Sequence, residues 1–165
     1  MRKLSVGVVA LVLGIVGGVL PAHAGGAFSN KSFKGNYAIS LSGSDLSQSS
    51  ICTSPPCPVA LTGQLTSNGN GGISSGSISL NDNGVVCSGE FSNAFYSISK
   101  DGTGSSQIAV ATNTNCNSLL TFPLASFGLT ITLYNRGRQA TLATSNTSPA
   151  GMVLSGSAAS QNRIP

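Results

Sequence analysis

Apolar side chains recur at every second position along most of this chain and almost nowhere at the three-to-four spacing of an amphipathic helix. Tyr37, Ile39 and Leu41 give the first run, and Val59, Leu61 and Leu65 the second. Ile78 and Leu80 follow, then Phe91 through Ile98 with Tyr96 and Ile98 in phase, then Ile108 and Val110. Leu120, Phe122 and Leu124 come next, then Phe127, Leu129, Ile131 and Leu133, and finally Leu142, Met152 and Leu154. A β-strand turns successive side chains to opposite faces, so each run describes a strand with one buried face. The pattern predicts eight to ten strands and an all-β fold.

The breaks between runs carry turn chemistry. Asn68-Gly69, Asn83-Gly84, Asp101-Gly102 and Arg136-Gly137 supply residues that tolerate the positive φ of tight hairpins. Short connections make neighbours antiparallel. Successive antiparallel strands satisfy their backbone groups as an up-and-down barrel, the expected arrangement here, or as a β-sandwich. Pro123 interrupts its apolar run and places that strand at an edge or a bulge.

The first 24 residues read as a signal peptide. Arg2 and Lys3 precede an apolar stretch from Leu4 to Leu20, Pro21 breaks it, and Ala22-His23-Ala24 offers the small residues that signal peptidase requires. Cleavage after Ala24 leaves a secreted or periplasmic chain with no second long apolar run, and therefore one not embedded in a membrane. Within it, residues 25–32 read as a flexible lead, 33–156 as one barrel domain and 157–165 as a tail. Removing Arg2 and Lys3 from eight basic residues leaves six against four acidic ones, dispersed along the chain. Phosphate backbones are bound by clustered cations, so nucleic acid is set aside as a partner.

Cys52, Cys57, Cys87 and Cys116 all lie beyond the cleavage site. An even count in an oxidising compartment reads as two disulfides. Of three connectivities, Cys52 with Cys57 around Thr53-Ser54-Pro55-Pro56 and Cys87 with Cys116 are favoured. Zinc is the competing reading, but only one close cysteine pair exists, and the sole histidine, His23, leaves with the signal. No metal site and no cofactor is expected.

Three stretches carry a resemblance: Gly35-Asn36-Tyr37-Ala38-Ile39-Ser40-Leu41-Ser42-Gly43, Gly63 through Ile73, and Asp101-Gly102-Thr103-Gly104. They resemble uncharacterised exported bacterial all-β domains, which are themselves similar to the calycin barrels that include lipocalins. The resemblance spans most of the mature chain and implies a barrel that binds a small apolar ligand. It departs from lipocalins at their Gly-x-Trp motif, since Gly35-Asn36 is followed by Tyr37.

Reactive side chains are few. Ser-His-Asp and Cys-His hydrolases need an imidazole, which the mature chain lacks. A paired-carboxylate glycosidase would have to draw on Asp45, Asp82, Glu90 and Asp101. Asp82 in Asn81-Asp82-Asn83-Gly84 and Asp101 in Lys100-Asp101-Gly102 have a plainer role, bonding the backbone of their turns. Asp101 through Ser105 has the oxygen spacing of a calcium loop but one carboxylate, so it too reads as a turn. Glu90 lies in expected strand and faces either the barrel interior or, as acids more often do, solvent. Arg136 and Arg138 beside Tyr134 would clamp a carboxylate or sulfate, although Asn135 through Arg138 is also a hairpin tip.

No catalytic residue is assigned, and Tyr134, Arg136, Arg138 and Glu90 are the ligand-binding candidates. The expected function is an exported non-catalytic barrel that binds a small apolar ligand. The alternative is a structural or surface-interaction protein of the envelope or extracellular matrix, its Ser/Thr/Asn exterior facing polysaccharide or another envelope protein. Behind these stand a barrel cyclase or isomerase and an outer-membrane barrel, the latter disfavoured by the absence of tryptophan and the scarcity of aromatic residues. A cavity lined by Leu, Ile and Phe distinguishes the first reading, and a barrel filled by its own side chains the second.

Overall fold

The alternating runs form β1 (Lys34–Asp45), β2 (Cys57–Asn68), β3 (Gly72–Asp82), β4 (Val85–Ile98), β5 (Thr103–Thr112), β6 (Ser126–Tyr134), β7 (Gln139–Thr144) and β8 (Met152–Ser160). They come from a computed structural model that describes residues 27–49, 51–112, 126–145 and 151–161. Each strand pairs antiparallel with the next, and β8 returns to β1 with Leu41 opposite Gly156, so the sheet closes into an eight-stranded barrel. Closure removes free strand edges and sets the sandwich alternative aside. The expected signal peptide, the run from Leu120 to Leu124 with Pro123, and Cys116 lie outside the described residues.

The hairpins form where the sequence places them. Asn83 and Gly84 both take positive φ, 48° and 92°, as the β3–β4 turn requires. Gly69 and Gly102 do the same in the β2–β3 and β4–β5 connections at the opposite barrel end.

The interior is filled by its own side chains. Ile39, Leu41, Leu61, Leu65, Leu80, Ile108, Leu129, Ile131, Leu142 and Leu154 all point inward and are buried. A bulge between Phe91 and Asn93 in β4 shifts the phase by one residue. It explains why Cys87 faces inward on odd numbering while Ala94, Tyr96 and Ile98 do so on even numbering.

One barrel end is closed by residues 28–33, which join the end of the expected lead to the start of the barrel domain. Phe28 donates its backbone N–H to Lys100 (3.1 Å), and Ile98 N–H donates to the Asn30 side chain (2.8 Å). Phe33 is 1 % exposed and stacks on Tyr37 and Tyr96, with ring centroids 4.3 and 5.2 Å apart. Burying that ring offsets the entropy of ordering the polar residues before it. At the other end of the chain β8 runs to Ser160, with Ala158 buried, and Gln161 N–H donates to the Asn36 carbonyl.

The opposite end is roofed by the segment between β1 and β2. The Cys52–Cys57 disulfide forms as expected, with Cα atoms 5.7 Å apart. Ile51 packs on the core and its carbonyl accepts from the Asn83 side chain (2.8 Å), which ties the roof to the β3–β4 hairpin. Among the described residues no cysteine is free.

Candidate functional site

A cleft lies on the outer wall, over positions that the strand register brings together. Across β1 to β4 the inward positions Ile39, Gly63, Ile78 and Gly89 stand opposite one another. A Cβ on Gly63 would meet the Ser77 carbonyl and come within 3.0 Å of the Ile78 side chain. A Cβ on Gly89 would strike Val110. With no side chains at these two inward positions, the backbone of β2 and β4 lies close against Ile78 and Val110.

Two polar rows line the cleft. One runs Ala38, Gln64, Ser77, Glu90 and Ala111 across β1 to β5. Beside it, Thr62, Ser79 and Ser88 are paired across β2 to β4. All eight residues line a cleft of about 740 Å³, within the range of ligand sites. A second hollow continues from Gln64, Ser77 and Glu90 to Asn36, Thr66 and Ser75, beside Phe91, which packs against the core. Thr66 donates its hydroxyl to the Asn36 side-chain oxygen (3.0 Å). At an interstrand spacing of about 4.8 Å, the row from β1 to β5 spans roughly 19 Å.

Glu90 points outward into this cleft and is solvent-exposed, because Cys87 and Gly89 take the inward phase. Tyr134, Arg136 and Arg138 are exposed at the β6–β7 connection, at the barrel end that Phe33 closes. Arg136 takes positive φ (57°), and among the described residues neither guanidinium forms an ion pair or a side-chain hydrogen bond. Glu90 and the two arginines therefore belong to different places, and the structure does not assemble the four candidates into one site.

The acids divide in a way the turn reading missed. Asp101 behaves as expected: its carboxylate accepts from Thr103 N–H (2.9 Å) and hydroxyl (2.7 Å), and the hydroxyl bond first of all holds its pKa below the ordinary value. Asp82 does not. The β3–β4 turn is bonded instead by Asn81, which accepts from Gly84 N–H (2.9 Å), while Asp82 is turned into the barrel. Asp45 is also inside, and the two are 0 % and 1 % exposed at the disulfide-roofed end. Burial raises the Asp82 pKa, and the nearby Asp45 charge raises it further. Both carboxyls are sealed from solvent.

No protein-family model matches the chain, nor does any curated protein or solved structure. Fold and site define the class unaided: a closed eight-stranded antiparallel barrel with a packed interior and a polar cleft on its outer wall. The agreement with the expected calycin-like barrel is one of coarse architecture.

Proposed function

We propose that this is an exported, non-catalytic interaction module that uses the outer cleft on β1 to β5 to hold a hydroxyl-rich polymer such as an envelope or matrix polysaccharide. The packed interior carries this preference: apolar side chains occupy the space in which an apolar ligand would sit. The cleft offers what a saccharide recognises, with amides from Asn36 and Gln64, hydroxyls from Thr62, Ser77, Ser79 and Ser88, and a carboxylate from Glu90. A linear chain laid across five strands meets these groups at regular intervals.

Affinity electrophoresis through gels containing neutral and acidic polysaccharides tests this. Glu90→Gln and Gln64→Ala should each weaken retention about fivefold, the effect of roughly one hydrogen bond. Unchanged retention in both variants, or no retention of the parent protein by any polysaccharide, contradicts the proposal.

A further inference from the structure

The roofed barrel end holds a second feature that the outer cleft does not use. Asp45 ends β1 and Asp82 ends β3, both directed inward on the two sides of β2, where they stand opposite Cys57 and Val59. Ser47 donates its N–H (2.8 Å) and its hydroxyl to Asp45 Oδ1, which fixes that carboxylate and leaves Oδ2 unpartnered. Asp82 Oδ1 and Oδ2 are both unpartnered. Three buried carboxyl oxygens thus lack a donor, and among the described residues no lysine or arginine forms an ion pair with either acid. An isolated buried carboxylate is costly, and two near one another more so.

We propose that Asp45 and Asp82 are the anionic ligands of a divalent cation site under the Cys52–Cys57 roof, with calcium the favoured ion. Two carboxylates neutralise one divalent charge, and hard oxygen donors suit calcium or magnesium. The two nearby cysteines are bound to one another and supply no thiolate. Calcium accepts irregular donor sets that include backbone carbonyls, whereas magnesium demands near-octahedral geometry and retains water. A donor set completed by backbone carbonyls therefore suits calcium better than magnesium. Among the described residues no cluster of three or more His, Cys, Asp or Glu exists, so the remaining ligands must be carbonyl oxygens or water. This site is independent of the saccharide reading, since none of its residues lines the outer cleft.

The test is thermal melting of the chelator-stripped full-length protein during titration with calcium chloride. The melting temperature should climb with calcium concentration, by about 5 °C or more at saturation. Asp82→Asn removes a buried charge and needs no counter-ion, so its metal-free form should melt above the metal-free parent and show no calcium response. Three results overturn the proposal: no rise up to about 10 mM calcium, roughly ten times the weakest constants of extracellular calcium modules; an equal rise with sodium chloride at matched ionic strength; or a full calcium response in Asp82→Asn.

Discussion

The Tyr37 hydroxyl donates a 2.7 Å hydrogen bond to the carbonyl of Gly137, joining residues 100 positions apart across one end of the barrel. Tyr37 is 1 % exposed beneath Phe33, and Gly137 has φ 81°, with its Cα against the Ser32 carbonyl. Strand β1, the β6–β7 connection and the N-terminal segment therefore meet at one buried point. Tyr37→Phe keeps the ring and leaves the Gly137 carbonyl unpaired, at a cost of about 1–2 kcal/mol. Gly137→Ala adds a Cβ where backbone already lies, in a conformation that disfavours it, and should cost more. Urea unfolding of the two variants checks the order.

Burial, and secondarily Tyr96, pushes the Tyr37 pKa from 10.0 to about 12. A phenol whose folded pKa is raised stabilises the folded state at pH values below its unfolded pKa, and that contribution is lost as pH rises through the folded one. Stability should fall between about pH 10 and 12, by up to roughly 3 kcal/mol at 1.36 kcal/mol per unit. Unfolding midpoints across that window, compared with those of Tyr37→Phe, measure the difference. A parent protein no more alkali-sensitive than the variant contradicts the placement of the hydroxyl.

Ile78 fills the room left by Gly63 and Gly89, so the row is sensitive in both directions. Ile78→Ala should cost about 2–5 kcal/mol through the cavity it opens. Gly63→Ala should cost roughly 1–3 kcal/mol by overpacking against the Ser77 carbonyl. Denaturant midpoints decide. A neutral Gly63→Ala would contradict the close approach of β2 to the Ser77 carbonyl at this row.

The Cys52–Cys57 bridge closes a loop of only about six residues. The chain-entropy model then gives about 2 kcal/mol, less than a long loop would provide. The double Cys52→Ser, Cys57→Ser variant should lose about that much on denaturation and, because Ile51 and Asn83 are tied to the same roof, should exchange its amides near Asp45 faster.

The strands were legible because each has one buried face, and the barrel followed from hairpin turns with no helices between them. The inward acids were legible too, though the turn motif hid them. Tyr37, Ile39, Leu41 and Asp45 share one phase, as do Ile78, Leu80 and Asp82, so counting in twos places both carboxyls inside. Asn81-Asp82-Asn83-Gly84 holds more turn formers than the turn uses, and Asn81 does the work expected of Asp82. The Phe33 plug left no such signal. A single aromatic among polar residues, it takes its place from Tyr37, four residues on, and from Tyr96, which is distant in sequence. The cleft was hidden for the same reason, since it depends on which residues the strand register brings together.

The most direct measurement is amide chemical-shift mapping of the isotope-labelled protein, titrated in parallel with neutral oligosaccharides and with a long-chain fatty acid. Saturable shifts at Gln64, Ser77, Ser79, Ser88 and Glu90 with the oligosaccharides, and none with the fatty acid, are the predicted result. Saturable shifts at interior positions such as Leu61, Ile78 and Ile108 with the fatty acid, and none with any saccharide, would contradict a filled barrel that works through its outer wall.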